Sequence, residues 1–237
     1  MKNCLICHGD VSTLFGWGAF VGLQQHTPIC EKCESAFQII SGELCRICGR
    51  EWAMVAPENR VEDLCSDCFR WEKDPFTAGL LQQNRSVYHY DEHMKEVLAR
   101  YKFRGDAVLV QVFRKTFRQT FEATWGKDLP ILVPIPLSTD RKYERGFNQS
   151  LLLAELLFGN PEELLSKTNS EKQSKKARKE RMERENTFFV PDPEKVKGKS
   201  ILLIDDIYTT GTTVRMAAKV LKDAGAKDIS SCTLVRS

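Results

Sequence analysis

Eight of the nine cysteines form four Cys-x-x-Cys pairs, and every pair lies before residue 70. The pairs are Cys4/Cys7, Cys30/Cys33, Cys45/Cys48 and Cys65/Cys68. Two thiolates separated by two residues on a tight turn can both reach one tetrahedral ion, and two such pairs complete a site. Because the chain begins without a secretory signal, these cysteines predict two structural zinc sites rather than disulfides, redox pairs or an iron–sulfur cluster.

The order of the pairs leaves two ways of assembling the sites. The intervals from Cys7 to Cys30 and from Cys48 to Cys65 permit sequential pairing, first with second and third with fourth. A cross-braced arrangement is also compatible with the spacing. His8 and His26 are alternative ligands that can replace a thiolate, since imidazole nitrogen binds zinc as well.

The composition changes near Lys73-Asp74-Pro75, which predicts a boundary between a domain at 1–74 and a domain at 75–237. The first part has little helical or strand periodicity and several turn-forming segments, as is typical of a loop-rich module held together by metal. Residues 1–75 carry 7 Lys or Arg against 11 Asp or Glu, whereas the remainder carries 28 against 21. Zinc-bound thiolates make the first part more acidic still, so we expect it to have a structural or protein-docking role rather than to bind nucleic acid.

The second part alternates strand and helix patterns, which favours a parallel α/β sheet. Phe113, Phe117 and Phe121 repeat at a spacing of four residues, so we assign them to the buried face of a helix. A polar loop is expected between Pro136 and Asn148. The patterns predict strands at 85–90, 131–133, 201–204 and 229–235, and helices at 93–101, 107–124, 149–158 and 214–224.

The segment after the strand at 201–204 has the features of a phosphate site. Gly211 lets the backbone approach a ligand, and the next helix presents free amides and a partial positive charge. Asp205 and Asp206 would repel a phosphate, so they are expected to bind the hydroxyls of an attached ribose. Further hydrogen bonds to the phosphate are expected from the hydroxyls of Thr209, Thr210, Thr212 and Thr213.

A nucleotide-binding P-loop is the main rival interpretation of this region. Gly198-Lys199-Ser200 resembles the end of such a loop. However, the position that requires the first glycine is occupied by Pro193, and the motif precedes a strand instead of following one. An ordinary polar turn is the second alternative. The loop position at the end of a parallel strand favours a ligand site, because ligands usually bind there.

No run of about eighteen apolar residues is present, so a transmembrane segment is not expected. Together with the absence of a secretory signal, this composition predicts a soluble cytoplasmic protein.

Two motifs resemble known proteins. The segment 201–213 is similar to the phosphoribosyl pyrophosphate motif of type I phosphoribosyltransferases. The segment 133–138, followed by Arg141 and by 145–149, resembles the ComF family of late competence proteins from naturally transformable bacteria, specifically its ComFC branch. With the cysteine-rich start and Lys102-Phe103-Arg104-Gly105-Asp106, the resemblance covers essentially the whole chain.

The resemblance implies a type I phosphoribosyltransferase fold, a Rossmann-like parallel sheet, preceded by a small zinc-ribbon-like Cys4 domain. It implies that Asp205 and Asp206 bind ribose hydroxyls and that 209–213 hold the 5-phosphate. Arg141 and Arg145 would face the pyrophosphate, which Mg²⁺ would bridge because adjacent negative charges need a hard cation. A mobile catalytic loop would contain Gln173, Arg181, Arg184 and Asn186.

Two functions follow from these features. The first is an enzyme of DNA uptake and processing that transfers a phosphoribosyl group to an acceptor that no motif specifies. The second is a non-catalytic accessory factor that binds single-stranded DNA or a nucleotide with the same loop. Contacts to the DNA backbone would come from a run of basic residues, although such a run is equally typical of a solvated loop. The run consists of Lys172, Lys175, Lys176, Arg178, Lys179, Arg181 and Arg184. The resemblance suggests an ATPase of the DNA-uptake machinery, with a cationic face, as a partner of the acidic first part.

Overall fold

The computed structural model describes residues 3–11, 28–103, 106–126, 130–157, 159–168 and 187–237. The described part of the first 74 residues has two short α-helices, two single-turn 3-10 helices (Trp52–Met54 and Pro57–Asn59) and one two-stranded antiparallel ribbon. The α-helices and the strands of the ribbon are α1 (Glu31–Ser35), β1 (Arg60–Val61), β2 (Leu64–Cys65) and α2 (Ser66–Lys73).

The rest of the chain alternates strands and helices as its sequence pattern predicts. Its elements are β3 (Asn84–His89), α3 (Glu92–Phe103), α4 (Val110–Trp125), β4 (Ile131–Pro134), α5 (Thr139–Arg145), α6 (Gln149–Glu155), β5 (Ser166–Lys167), β6 (Phe188–Phe189), β7 (Ser200–Tyr208), α7 (Thr212–Asp223) and β8 (Asp228–Arg236). Within the described part of the chain, every helix is too short or too polar to traverse a lipid bilayer.

Four strands form one sheet in the order β3-β8-β7-β4, and all three pairings are parallel. The predicted parallel α/β sheet is therefore confirmed. The two central strands, β7 and β8, are nine residues each and pair from Ser200↔Asp228 to Tyr208↔Arg236. A separate antiparallel pair, β5 with β6, joins Lys167 to Phe188.

The sheet separates two apolar layers, because successive side chains on a strand point to opposite faces. Leu202 and Ile204 of β7 belong to the layer that contains the phenylalanine stripe of α4. Ile201 and Leu203 belong to the opposite layer, with the apolar face of α7. The stripe is core as predicted: Phe113, Phe117 and Phe121 are buried completely or nearly so.

The cysteine-rich first part contributes to both layers. Cys4, Cys33 and Phe37 pack in the α4 layer, whereas Cys45 and Cys48 pack in the α7 layer. The boundary near residue 75 stays a prediction. Its two sides share their apolar cores, so the first part is packed as an extension of the sheet's two layers.

Several predicted bounds and one predicted loop are wrong. Helix α6 ends at Glu155 instead of 158. Strand β7 continues through Tyr208 instead of ending at 204, since β8 pairs with it along its full length. Helix α7 begins at Thr212, two residues earlier than predicted. The segment expected to be a polar loop contains α5, which the Ser138 side chain caps at its start and Gly146, at φ +76°, ends.

Candidate functional site

The candidate site lies at the carboxyl ends of the parallel strands, where a sheet of this kind usually binds its ligand. Asp205 and Asp206 are themselves part of β7, and the next residues form a short turn that leads into α7. Residues 209–213 are called the phosphate loop below. The carboxylates and this loop therefore share one strand end.

Asp205 is held by hydrogen bonds on one oxygen. Its Oδ1 accepts from the hydroxyl of Ser150, at 3.0 Å, and from the backbone N–H of Asp206, at 2.9 Å. Ser150 is in place because the Asn148 side chain caps α6 by accepting the Ser150 N–H at 3.0 Å. Burial, followed by the neighbouring charge of Asp206, raises the pKa of Asp205 to about 7.

Asp206 faces a lysine that sequence reasoning did not assign to the site. The Nζ of Lys102 lies 2.6 Å from Oδ2 of Asp206, and each side chain is only 14% exposed. Lys102 stands near the end of α3, in the segment that carries part of the family resemblance. Its separation of 104 residues from Asp206 explains why the local pattern did not pair the two.

The phosphate loop offers several groups suited to an anion. Thr209, Thr210 and Thr213 are exposed. The Thr210 and Thr212 hydroxyl oxygens lie 2.8 Å apart, and Oγ1 of Thr210 accepts the Thr212 N–H at 3.4 Å. The twelve-residue helix α7 begins directly after the turn, so its first amides and its positive end are directed at this loop.

Gly211 is required by its surroundings. Its φ of +80° lies in the left-handed region. A Cβ atom there would be 2.2 Å from the Tyr208 hydroxyl oxygen and 2.4 Å from Nη1 of Arg215. Both neighbours are buried, and Nη1 of Arg215 donates to the Tyr208 hydroxyl at 2.7 Å. A packed arginine and tyrosine therefore support the loop from beneath.

The two predicted arginines lie on the neighbouring helix α5. Arg141 is exposed in the first turn, and Nη1 of Arg145 donates to Oε1 of Gln149 at 2.9 Å. Lys167, in β5, is a further cation that the sequence did not reveal. Burial and then the charge of Arg141 lower the pKa of Lys167, while Asp205 acts in the opposite direction. Arg141, Lys167 and Asp205 thus share one electrostatic environment.

The predicted catalytic loop with Gln173, Arg181, Arg184 and Asn186 lies outside the described residues, as does the basic run from Lys172 to Arg184. Their assigned roles stay predictions. Strands β5 and β6, which pair with each other, lie on either side of this segment in the sequence, and Lys167 is the last residue of β5.

A cleft of about 400 Å³ adjoins the phosphate loop on the side of α2. Its lining residues are Asp67, Arg70, Trp71, Asp74, Thr210 and Thr212. Across the cleft the Trp71 indole N–H donates to the backbone oxygen of Thr210 at 3.1 Å. The cysteine-rich first part of the chain therefore touches the phosphate loop directly.

The eight paired cysteines form two groups, and in each group the sulfur atoms lie within 4.8 Å of one another. The first group, called the first cluster, is Cys4, Cys7, Cys30 and Cys33. The second group, called the second cluster, is Cys45, Cys48, Cys65 and Cys68. The pairing is therefore sequential, and the cross-braced alternative is excluded.

The geometry of both clusters fits a tetrahedral ion. Sulfur atoms 2.3 Å from a central zinc are about 3.8 Å apart. The observed sulfur distances are 3.7 Å between Cys7 and Cys30 and 3.6 Å between Cys48 and Cys65. Among the described residues each group consists of cysteines alone, so His8 is not a member; His26 lies outside the described residues.

A backbone amide hydrogen bond favours a thiolate at one cysteine of each cluster. The Ile6 N–H donates to the sulfur of Cys4 at 3.4 Å, and the Cys65 N–H donates to that of Cys45 at 3.3 Å. Hydrogen bonds from the Cys48 and Cys65 thiols lower the pKa of Cys45, and the hydrogen bonds to Cys45 raise the pKa values of Cys48 and Cys68. Since the thiolate is the form that binds metal, both sites are suited to hold a divalent ion.

Comparison with known proteins agrees with this geometry. The family model described as "Phosphoribosyl transferase domain" matches residues 152–237, which include β7, the phosphate loop and α7. The chain is 42% identical to "Competence protein ComFC" of Bacillus subtilis (strain 168) over 99% of this chain and 95% of that protein. It is 35% identical to "Competence protein ComFC" of Streptococcus pneumoniae (strain ATCC BAA-255 / R6), over 99% and 100%.

A more distant relative is "DNA utilization protein YhgH" of Escherichia coli (strain K12), which is 26% identical over 90% of this chain and 92% of that protein. The α/β phosphoribosyltransferase fold class is therefore confirmed. So is the presence of N-terminal cysteine clusters that can hold metal.

Proposed function

Because this chain belongs to the ComFC family of competence proteins, we propose that it acts in the cytoplasm in the uptake and processing of transforming DNA. We further propose that its phosphoribosyltransferase domain binds phosphoribosyl pyrophosphate together with Mg²⁺. One observation is the main support for phosphoribosyl pyrophosphate as the ligand. Two partly buried carboxylates and a threonine-rich turn follow one another at the end of a central parallel strand.

The geometry supports binding of the ribose hydroxyls and of the 5-phosphate by different residues of the site. Asp205 and Asp206 would accept hydrogen bonds from the two vicinal ribose hydroxyls. The phosphate loop would bind the 5-phosphate through its backbone amides and through the hydroxyls of Thr209, Thr210, Thr212 and Thr213. Asp205 keeps Oδ2 available, because the hydrogen bonds from Ser150 and Asp206 both reach its Oδ1.

Pyrophosphate would lie toward the cations beside this strand end. Arg141 and Arg145 are the arginines that α5 supplies, and Lys167 adds a third positive charge from β5. Mg²⁺ would offset the negative charge of the pyrophosphate when the donor is bound. In an enzyme of this class the acceptor attacks the ribosyl C1 and pyrophosphate departs toward these cations, so charge develops where the arginines lie.

Lys102 adds a feature specific to the carboxylate pair. Its ammonium group compensates Asp206, so two adjacent acids can remain close together without a ligand. We propose that Lys102 orients Asp206 through their ion pair while Asp205 contributes the second acceptor. Lys102 is therefore a candidate positioning residue for ribose binding.

We propose that both cysteine clusters bind zinc, as their sulfur geometry supports. The first part of the chain is acidic before thiolates are counted, and each Cys4–zinc site adds about two negative charges. This charge disfavours DNA backbone contacts by that part and suits a cationic protein face, such as that of a DNA-uptake ATPase. Single-stranded DNA would instead meet the basic run of the second part.

The donor proposal is tested by calorimetry with phosphoribosyl pyrophosphate, with and without Mg²⁺. We expect Mg²⁺-dependent binding by the wild type and its loss in Asp205→Asn. Asp223→Asn is the matched control, because Asp223 pairs with Lys219 on the exposed face of α7. If donor binding is absent while single-stranded DNA binds with a steep salt dependence, the non-catalytic accessory function replaces the donor proposal.

A further inference from the structure

The second cluster is linked to the phosphate loop by a set of contacts that metal binding alone does not require. Two buried arginines flank Tyr208, the last residue of β7 before the loop. Arg215 is 2% exposed and donates to the Tyr208 hydroxyl, whereas Arg236 is 5% exposed and its guanidinium carbon lies 5.0 Å from the centre of the Tyr208 ring. Tyr208 is thus held between two cations.

Arg236 connects the loop with the cluster. Its Nη1 donates to the backbone oxygens of Tyr208 and Thr209, at 3.2 and 2.7 Å. Its Nη2 lies 3.9 Å from the sulfur of Cys48. A planar guanidinium can donate to the loop carbonyls and to the cysteine sulfur at the same time, whereas a lysine ammonium is a single point of charge on a flexible stem.

Trp71 provides a second connection. It follows Cys68 by three residues on α2, and its indole N–H donates to the backbone oxygen of Thr210. The guanidinium carbon of Arg215 lies 4.9 Å from the centre of the Trp71 ring. Three consecutive carbonyls, those of Tyr208, Thr209 and Thr210, are therefore bound by Arg236 or Trp71.

The charges in this region are complementary. A zinc ion with four thiolates has a net charge of about −2, and Arg236 and Arg85 lie beside the second cluster. Arg85 differs from Arg236 in its hydrogen bonds, which go to the backbone oxygens of Arg46 and Asn84. Arg85 can therefore neutralise the cluster, and both of these hydrogen bonds go to residues outside the phosphate loop.

From these contacts we propose that the second cluster supports the phosphate loop, and that Arg236 and Trp71 are positioning residues that hold the loop carbonyls in place. Arg236 and Trp71 bind those carbonyls from below, so the N–H groups of the same three peptide units point to the opposite side, where an anion would bind. The first cluster has a different attachment: Arg100 of α3 donates to the backbone oxygens of Leu5 and Ile6. The two clusters therefore stabilise different parts of the molecule.

The test of this inference by donor affinity rests on the proposed donor function. Arg236→Lys is expected to weaken binding of Mg²⁺-phosphoribosyl pyrophosphate about tenfold, which corresponds to ~1.4 kcal/mol, while zinc content stays at the wild-type value. Trp71→Phe, which removes only the N–H donor and keeps an aromatic ring, is expected to act in the same direction. The matched control Arg85→Lys should retain wild-type affinity.

A second readout needs no ligand. Hydrogen exchange of the full-length protein, followed by mass spectrometry, is expected to be faster at 208–213 in Arg236→Lys and in Cys68→Ser than in the wild type. Arg85→Lys and Cys7→Ser, a change in the first cluster, should leave exchange in that segment unchanged. If Cys68→Ser does not fold, Arg236→Lys with its zinc retained carries the test.

These readouts separate the two proposals. Faster exchange without any donor binding by the wild type would overturn the donor function and leave the support of the loop intact. Normal exchange and normal affinity in both Arg236→Lys and Trp71→Phe would overturn the support of the loop. Equal losses in Arg85→Lys and Arg236→Lys would overturn it as well, since they would point to general neutralisation of the cluster.

Discussion

Replacing Asp205 by asparagine is expected to stabilise the folded protein at neutral and alkaline pH. The native pKa of this carboxyl is about 7, and an unfolded aspartate has a pKa of about 3.9. Burial is the main cause of the shift, followed by the charge of Asp206. Asparagine keeps an oxygen that can accept from the Ser150 hydroxyl and from the Asp206 N–H, but it cannot ionise.

The sign follows from proton linkage. Between the two pKa values the native state binds more protons than the unfolded state, so stability falls as the pH rises toward 7 and stays low above it. A shift of about 3 units, at 1.36 kcal/mol per unit, costs the wild type at most about 4 kcal/mol once Asp205 is ionised. The asparagine variant escapes this cost.

Urea unfolding followed by tryptophan fluorescence at pH 5.5, 7 and 8.5 measures the effect. The stability advantage of Asp205→Asn is expected to grow by about 2 kcal/mol across this range, because the wild type has already lost roughly half of the total at pH 5.5. Both proteins contain the same cysteine clusters, so the pH dependence of zinc binding cancels in the comparison.

Asp206→Asn is the informative partner variant and should have the opposite sign. It leaves the Lys102 ammonium group largely buried without its carboxylate, which is expected to cost about 3 kcal/mol. The reasoning is refuted if Asp205→Asn is less stable than the wild type at pH 8.5, or if its advantage does not change with pH.

Three further predictions concern packing and metal. Gly211→Ala should lower the free energy of unfolding in urea by at least about 3 kcal/mol. The control Gly42→Ala has a similar φ of +72° but no atom within 4 Å of the added methyl, so it should lose only about 1 kcal/mol. Equal losses would show that the Tyr208–Arg215 contact is irrelevant. Phe117→Ala should cost about 3 to 5 kcal/mol by leaving a cavity against the sheet, and Phe189→Ala, at 44% exposure, far less. Metal analysis should find two zinc ions per chain. Their chelation should lower the melting temperature of the whole molecule, since both clusters pack in its apolar layers. An unchanged melting temperature after complete zinc loss would contradict this.

The sequence predicted those features that arise within one short segment. The cysteine pairs indicated the metal sites because a Cys-x-x-Cys turn brings two sulfurs together by itself. The phenylalanine stripe indicated a buried helix face because its spacing matches the helical period. The alternation of apolar strands and amphipathic helices indicated the parallel sheet, and the Asp205–Asp206 pair and Gly211 indicated where a ligand site would lie.

The tertiary structure decided every feature that joins distant segments. Sequential pairing of the clusters depends on tertiary packing: residues 3–11 and 28–37 pack on one face of the sheet, and residues 45–68 pack on the other. Strand β7 reaches Tyr208 because β8 supplies a partner along its whole length, and no local property of Asp205 to Tyr208 predicts that partner. The contacts of Lys102 with Asp206 and of Trp71 with Thr210 join residues more than 100 positions apart. Local periodicity reports what each segment buries, but a contact between two segments depends on how the whole chain packs.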